Sequence, residues 1–380
     1  MYKIMTPGPT QVLEQVRAAR SRVCTNPDLD EDFFEFYRET CALISSLLHT
    51  KNETLILGGE GILGLESACA SLTEPGDKVL VLDNGVFGKG FADFVTLYGG
   101  IADVYHADDR QTLDVDALAK FLESSHDYKY ATVVHCDTPS GMLNDVSRIC
   151  PLLKQYGILT VVDSVSAMFG EPMDVDAYQI DLLCGGSQKA VSAPAGLAFV
   201  VISEAYKTAM KNRKTPIASF YANLNLFATY YEDQWFPHTM PISAIYGLRA
   251  AFDCIAADEN MLNRHKIIGE STRETLSESG LKLHQQSGFS NTVTVFDVPQ
   301  GTDGKRILDE MKEKYNIMLA GSFDELSGKV IRIGHMGANA TVSNMIETLG
   351  ALDAVLRGMG VMLRVPLDVR FLELVKQKSK

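Results

Sequence analysis

From Thr54 onward the chain alternates short, almost uninterrupted apolar runs with segments of helical period, and this alternation leaves few folds open. Thr54–Leu57 is followed by the turn Gly58-Gly-Glu-Gly61 and a helical stretch from Leu63 to Leu72. Lys78–Leu82, Ile101–Val104 before the Asp114–Glu123 helix, and Ala131–Val134 repeat the theme. Strands that are apolar on both sides, not on alternate residues, are strands covered on both faces. That is the signature of a mainly parallel sheet flanked by helices, an α/β architecture. Such sheets bind ligands beyond the carboxyl ends of their strands, so the residues just after each run are the ones to inspect.

Outside this region the pattern differs. Met1–Thr10 carries the turn Thr6-Pro-Gly-Pro9, which neither helix nor central strand accommodates, and reads as an arm crossing the surface. Phe33, Phe36, Tyr37, Cys41 and Ile44 recur at helical spacing and predict an amphipathic helix over Asp32–Leu48. After Trp235–Pro241 a helix-rich span, Ile242–Ser279, leads to strand candidates at Thr292–Asp297 and Val330–Ile333 and a helix over Val342–Leu356. The segment after Gly360 reads as an extra helix. The expected division is an arm (1–15), a large domain (16–255), a smaller α+β domain (256–360) and a C-terminal extension (361–380). A chain of 380 residues, 46% hydrophobic, has enough apolar material for these cores.

Composition narrows the partners. With 48 acids against 35 Lys and Arg, the net charge of −13 argues against non-specific nucleic-acid binding. Seven scattered cysteines, odd in number and without a Cys-x-x-Cys pair, point to a reducing compartment. The polar, proline-rich N-terminus does not read as a signal peptide, and no apolar run reaches membrane-spanning length, so a cytoplasmic protein with no membrane partner is expected. No His/Cys constellation suggests a metal.

Two residues at strand ends carry chemistry. Lys189 follows the apolar Asp181–Cys184 run in Gly185-Gly-Ser-Gln-Lys189, and Asp163 closes the β-branched run Leu159-Thr-Val-Val-Asp163. A lysine able to form an imine and an aspartate able to keep a pyridine nitrogen protonated suit pyridoxal 5'-phosphate (PLP) chemistry.

Several separate pieces then agree: Thr6-Pro-Gly-Pro9, Gly59-Glu-Gly61, Asn84-Gly-Val-Phe-Gly88, His135-Cys-Asp-Thr138, Asp163-Ser-Val-Ser166, Ser187-Gln-Lys189, His238-Thr-Met-Pro241 and Arg332-Ile-Gly334. Together they resemble the class V aminotransferases of PLP fold type I, in particular the alanine–glyoxylate and serine–pyruvate branch. The resemblance implies a seven-stranded, mainly parallel sheet in the large domain and a homodimer with shared active sites. It makes Lys189 the imine-forming and proton-moving lysine and Asp163 the partner of the pyridine nitrogen. Val165 and Phe87 take the two ring faces, and Thr138 lies near the phenolic oxygen. It assigns phosphate binding to the backbone of Gly61 and Ile62, to Gln188, and to Thr239 reaching across from the neighbouring subunit. Arg332 grips the substrate carboxylate, with Pro7 and Gly8 at the substrate. Taken singly, Lys189 also suits a surface loop, Asp163 a helix cap, Phe87 the core, Thr138 a fixed loop and Arg332 a surface ion pair. His135 suits either a place beside the cofactor or a structural one.

Two residues depart from the family pattern. Glu60 stands where a small hydroxyl residue is usual, and a carboxylate there is expected to point away from a phosphate or to accept a hydrogen bond elsewhere. Phe236 stands where the branch often supplies a tyrosine to the partner's phosphate. The implied reaction is ping-pong transfer of an amino group from a small amino acid, alanine or serine, to glyoxylate or pyruvate. A 2-aminoethylphosphonate-type aminotransferase, another fold type I enzyme such as a lyase, and a non-catalytic PLP-binding protein are the alternatives.

Overall fold

The computed structural model describes residues 2–379. Its centre is a seven-stranded sheet in the spatial order Glu53–Leu57, Ala198–Ile202, Leu182–Gly186, Leu159–Asp163, Tyr130–Val134, Lys78–Asp83, Ile101–His106. Every neighbouring pair is parallel except those made by Ala198–Ile202, which runs antiparallel to both of its neighbours. The expected mainly parallel sheet is therefore present, with one reversed strand inserted. Tyr130–Val134, Leu182–Gly186 and Ala198–Ile202 are buried along their whole length, which is why their sequences do not alternate.

The first long helix, Glu31–Leu47, starts at Asp30, whose side chain accepts the N–H of Asp32, a cap that contributes about 1 kcal/mol. Its buried face, Phe33, Phe34, Tyr37, Cys41 and Ile44, lies against the edge strand Glu53–Leu57. There the Tyr37 hydroxyl donates to the Ile56 carbonyl (3.0 Å) and accepts its N–H (2.8 Å). An edge strand exposes unpaired backbone groups, and Tyr37 satisfies one residue's worth of them.

A second, smaller hydrophobic cluster gathers Met5, Ile268, Phe296, Met311, Ile331, Ile333, Leu352 and Phe371. It surrounds the antiparallel pair Val293–Asp297 and Val330–Gly334. The helix Leu367–Lys378 packs into the same cluster through Leu367, Phe371 and Val375. The N-terminal arm differs from expectation. Instead of crossing the surface, Lys3–Ile4 pairs in parallel with Ile317–Met318, Met5 is fully buried, and Pro7 is buried too. Proline forbids regular structure at residues 7 and 9 only; the apolar Met5 before them still finds a core. No helix among the described residues is long and apolar enough to cross a membrane.

Candidate active site

The segments after the carboxyl ends of the parallel strands converge along one edge of the sheet. Lys189 sits in the loop that reverses the chain between Leu182–Gly186 and Ala198–Ile202. The loop is tied at its neck by Ser187 N–H to Leu197 O (3.0 Å) and Ser187 Oγ to Pro194 O (2.7 Å). The arm lies along it: Thr10 donates through N–H to Gln188 O (3.0 Å) and through Oγ1 to Lys189 O (2.9 Å). Lys189 Nζ donates to Pro7 O at 2.8 Å and stands 3.5 Å from Thr138 Oγ1. Burial, reinforced by the positive charge of Arg332, lowers the Lys189 amine to about 8. Gly8, at φ +104°, leaves room for that side chain.

Asp163 ends its strand with one carboxylate oxygen accepting the Val165 N–H (2.9 Å). Its other oxygen takes no hydrogen bond from a described residue. Burial raises Asp163 to about 7 against the lowering pull of that N–H and of Lys189. His135, beside it in the next strand end, shares Nδ1 with Ser164 Oγ (3.0 Å), and burial lowers it to about 4, so it is neutral. Val165 rests close to Gly61: a Cβ there would lie 3.1 Å from Val165 Cγ2.

Phe87 begins the helix Val86–Leu97. Its N–H donates to Asp137 Oδ1 (3.0 Å), and the other Asp137 oxygen accepts from Ser140 Oγ (2.6 Å). Asp137 is buried and was not singled out in the sequence; it joins the Phe87 turn to the turn carrying Thr138. The Thr138 and Ser166 hydroxyls are hydrogen-bonded to each other. Arg332 donates from Nε to Gly321 O (2.5 Å) and from Nη1 to Thr138 O (3.2 Å), and among the described residues no carboxylate pairs with it. Burial lowers it to about 10, which leaves it cationic at neutral pH. Phe323, also unforeseen, lies between the two: its ring centroid is 5.8 Å from the Arg332 guanidinium and 6.3 Å from the Phe87 ring.

Lys189, Pro7, Gly8, Thr138, Asp163, Val165, Gly61 and Arg332 are thus linked by a continuous set of contacts. Of the two outcomes expected for Glu60, the structure shows the second, accepted hydrogen bonds: it caps the helix Gly61–Leu72, its Oε2 accepting the Ile62 N–H at 3.0 Å, and its Oε1 accepts from the Gln188 side-chain amide. The amide field of a helix N-terminus attracts the nearest anion, and here that anion is in the chain itself. Ile62 N–H and Gln188, two of the three expected phosphate donors on this side, are engaged by it. Thr239 is exposed and donates to Asp28 (3.3 Å), with no contact to the Lys189 cluster. Phe236 is buried, stacked on Phe34 with centroids 4.6 Å apart, so it faces its own core.

The ring end of this site fits PLP: a lysine with a depressed pKa, a buried acid with an open oxygen, and apolar side chains in the branched Val165 and the aromatic Phe87. Residues Asp163, Val165, Phe87, Thr138 and Lys189 would hold the pyridoxal moiety. The phosphate end would meet Gly61, Ile62 and Gln188, where Glu60 already lies. Such a lysine and acid at the strand ends of this sheet define a PLP-dependent transferase. Residues 5–328 match the family described as aminotransferase class-V, and the chain belongs to that family.

The relatives agree along the whole length. A pyridoxamine–pyruvate transaminase of Mesorhizobium japonicum is 30% identical over 361 residues, covering 94% of this chain and 92% of that one. The serine–glyoxylate aminotransferase of Arabidopsis thaliana is 30% identical over 378 residues, covering 94% and 91%. The crystal structure of ureidoglycine–glyoxylate aminotransferase from Bacillus subtilis superposes with a TM-score of 0.94 at 27% identity, covering 99% and 98%. The protein is an enzyme that transfers an amino group between an amino acid and a 2-oxo acid with PLP.

Proposed function

We propose that the enzyme moves the amino group of a small amino acid, alanine or serine, to glyoxylate or pyruvate in a ping-pong sequence. The observation that carries this reading is Arg332. Two of its donors are fixed on backbone carbonyls, no acid among the described residues forms an ion pair with it, and it belongs to the same cluster as Lys189. A guanidinium so oriented offers its remaining N–H groups to the carboxylate that amino acids and 2-oxo acids share. PLP, when bound, supplies the electron sink for charge developing at the substrate α-carbon. Asp163 would hold the proton on the pyridine nitrogen, Lys189 Nζ would carry a proton between the substrate α-carbon and the C4' atom of PLP, and Pro7 O and Thr138 Oγ1 orient that amine. Phe87 and Val165 keep the ring plane in place.

Exposed Val23, Leu29, Phe220, Tyr221 and Trp235 lie on two segments joined by the Thr239–Asp28 bond. Apolar surface of this extent supports a homodimer in which Thr239 serves the partner's site. The cysteines, none of them paired in a disulfide, suit a cytoplasmic enzyme.

The test is an absorbance titration of the PLP-loaded enzyme with alanine, serine, glycine and 2-aminoethylphosphonate, followed by glyoxylate or pyruvate. A cofactor band bleached by alanine or serine and restored by the oxo acid supports the reading; bleaching by the phosphonate alone replaces it.

A second reading is favoured by Glu60. We propose that pyridoxamine, the donor named for the Mesorhizobium relative, can serve here as amino donor, because it lacks the phosphate that Glu60 would oppose. Pyridoxamine and pyruvate would then give pyridoxal and alanine. Enzyme stripped of cofactor that forms no pyridoxal from this pair excludes it.

A further inference from the structure

Phe323 is a large apolar side chain left 43% exposed in the middle of the cluster that holds the reacting groups. Its position is fixed from several sides. Arg332 Nε ties Gly321 O (2.5 Å), Arg332 N–H ties Ala320 O (2.7 Å), and Ser322 Oγ donates to Pro139 O (3.2 Å). The following residue, Asp324, is at φ +49° and opens a short 3-10 turn, so the chain bends away and leaves the ring standing alone.

The ring touches two groups of the reacting site. It stands under the guanidinium of Arg332 and edge-on to Phe87, at an interplanar angle of 78°. A substrate whose carboxylate is on Arg332 and whose α-carbon is at Lys189 must direct its remaining substituent along the wall between them. Among the described residues, Arg332 is the one cation placed over this ring, and it is already taken by the α-carboxylate. A second carboxylate would give up part of its water against a phenyl face with no partner to replace it, which is unfavourable.

We infer that Phe323 is a specificity-determining residue whose ring is the wall met by the substrate side chain, admitting methyl- or hydroxymethyl-sized groups and excluding a second carboxylate. This rests on the assignment of the carboxylate to Arg332, and it holds for pyruvate as acceptor whichever amino donor is used.

The experiment compares kcat/KM for pyruvate, 2-oxobutyrate and 2-oxoglutarate in the PLP-loaded wild type and in Phe323→Ala, Phe323→Arg, Phe323→Leu and Arg332→Ala, with the dissociation constant of PLP measured by fluorescence quenching in each. Phe323→Ala is expected to raise the 2-oxobutyrate-to-pyruvate ratio about tenfold, and Phe323→Arg to raise the 2-oxoglutarate-to-pyruvate ratio about 10²-fold, chiefly through KM and with PLP affinity kept within about threefold. Phe323→Leu, which keeps an apolar wall, should retain the rejection of 2-oxoglutarate. Unchanged ratios in both the Ala and Arg variants, beside a collapsed Arg332→Ala enzyme, overturn the role of Phe323 alone. An Arg332→Ala enzyme with undiminished kcat/KM for pyruvate removes the carboxylate grip and this inference with it.

Discussion

Lys189 crosses Gly8 so closely that a Cβ on Gly8 would lie 2.6 Å from both Cε and Nζ of the lysine. Contacts under 3.0 Å between such atoms do not occur, and Gly8 also holds φ +104°, a conformation that costs an L-residue about 1–2 kcal/mol. Gly8→Ala should therefore displace the amine while leaving the sheet intact. Borohydride reduction in the presence of PLP, followed by peptide mass spectrometry, is expected to show labelling of Lys189 reduced at least about tenfold with an unchanged circular dichroism spectrum. Normal labelling would mean that the arm simply moves aside.

The Lys189 amine, lowered to about 8 by burial and by Arg332, must be unprotonated to attack the carbonyl of PLP. The rate of covalent capture should rise about tenfold per pH unit below that value and level off above it. Arg332→Gln removes one source of the depression, so the midpoint should move upward. A stopped-flow pH profile with a midpoint near that of free lysine in the wild type would contradict the buried setting beside a second cation.

Asp163 is held near 7 by burial, and a protonated pyridine nitrogen against its open oxygen would favour its ionised form. Asp163→Asn keeps the shape and removes the charge. Turnover is expected to fall on the order of 10²-fold or more, with PLP still attached to Lys189, because fixed charge of this kind acts on the transition state more than on binding. Equal loss of attachment and turnover would make Asp163 a binding group only.

Glu60 occupies donors that a phosphate would otherwise use. Glu60→Gln should tighten PLP about tenfold or more while changing pyridoxal, which has no phosphate, little. Equilibrium dialysis of both vitamers gives the ratio directly, and raised salt should shrink the wild-type difference. A ratio unaltered by the substitution would show that Glu60 swings clear when phosphate arrives.

The sheet was legible because burial on both faces suppresses polar residues along whole strands. Thr54–Leu57 and Ala131–Val134 each fall one residue short of the strands observed, at the polar Glu53 and the aromatic Tyr130. Strand direction was not legible. Ala198–Ile202 is as apolar as the parallel strands of the sheet, and its reversal shows only in its antiparallel registers with Glu53–Leu57 and Leu182–Gly186 and in the tie between Ser187 and Leu197. In the site, Lys189, Asp163 and Thr138 announce themselves by charge or hydroxyl at or just after strand ends, and Arg332 by a charge in the middle of the apolar strand Val330–Gly334. Phe323 does not, since a phenylalanine in a polar loop acquires meaning only from Arg332 and Phe87 beside it. Glu60 was visible as an oddity, but whether a carboxylate turns toward or away from a helix start depends on which donors are free in three dimensions.

The pairing of Lys3–Ile4 with Ile317–Met318 has a consequence for biosynthesis. Lys3–Ile4 finds its strand partner only after more than three hundred further residues have been joined. Closing so long a loop is slow relative to local contacts, and N-terminal regions emerge and fold ahead of later segments. The central sheet can consequently form while Lys3–Ile4 is still unpaired, with the arm held beside Lys189 only by the bonds of Thr10 to Gln188 O and Lys189 O. A nascent chain halted before Ile317 would own its reactive amine with the arm above it anchored at one end alone.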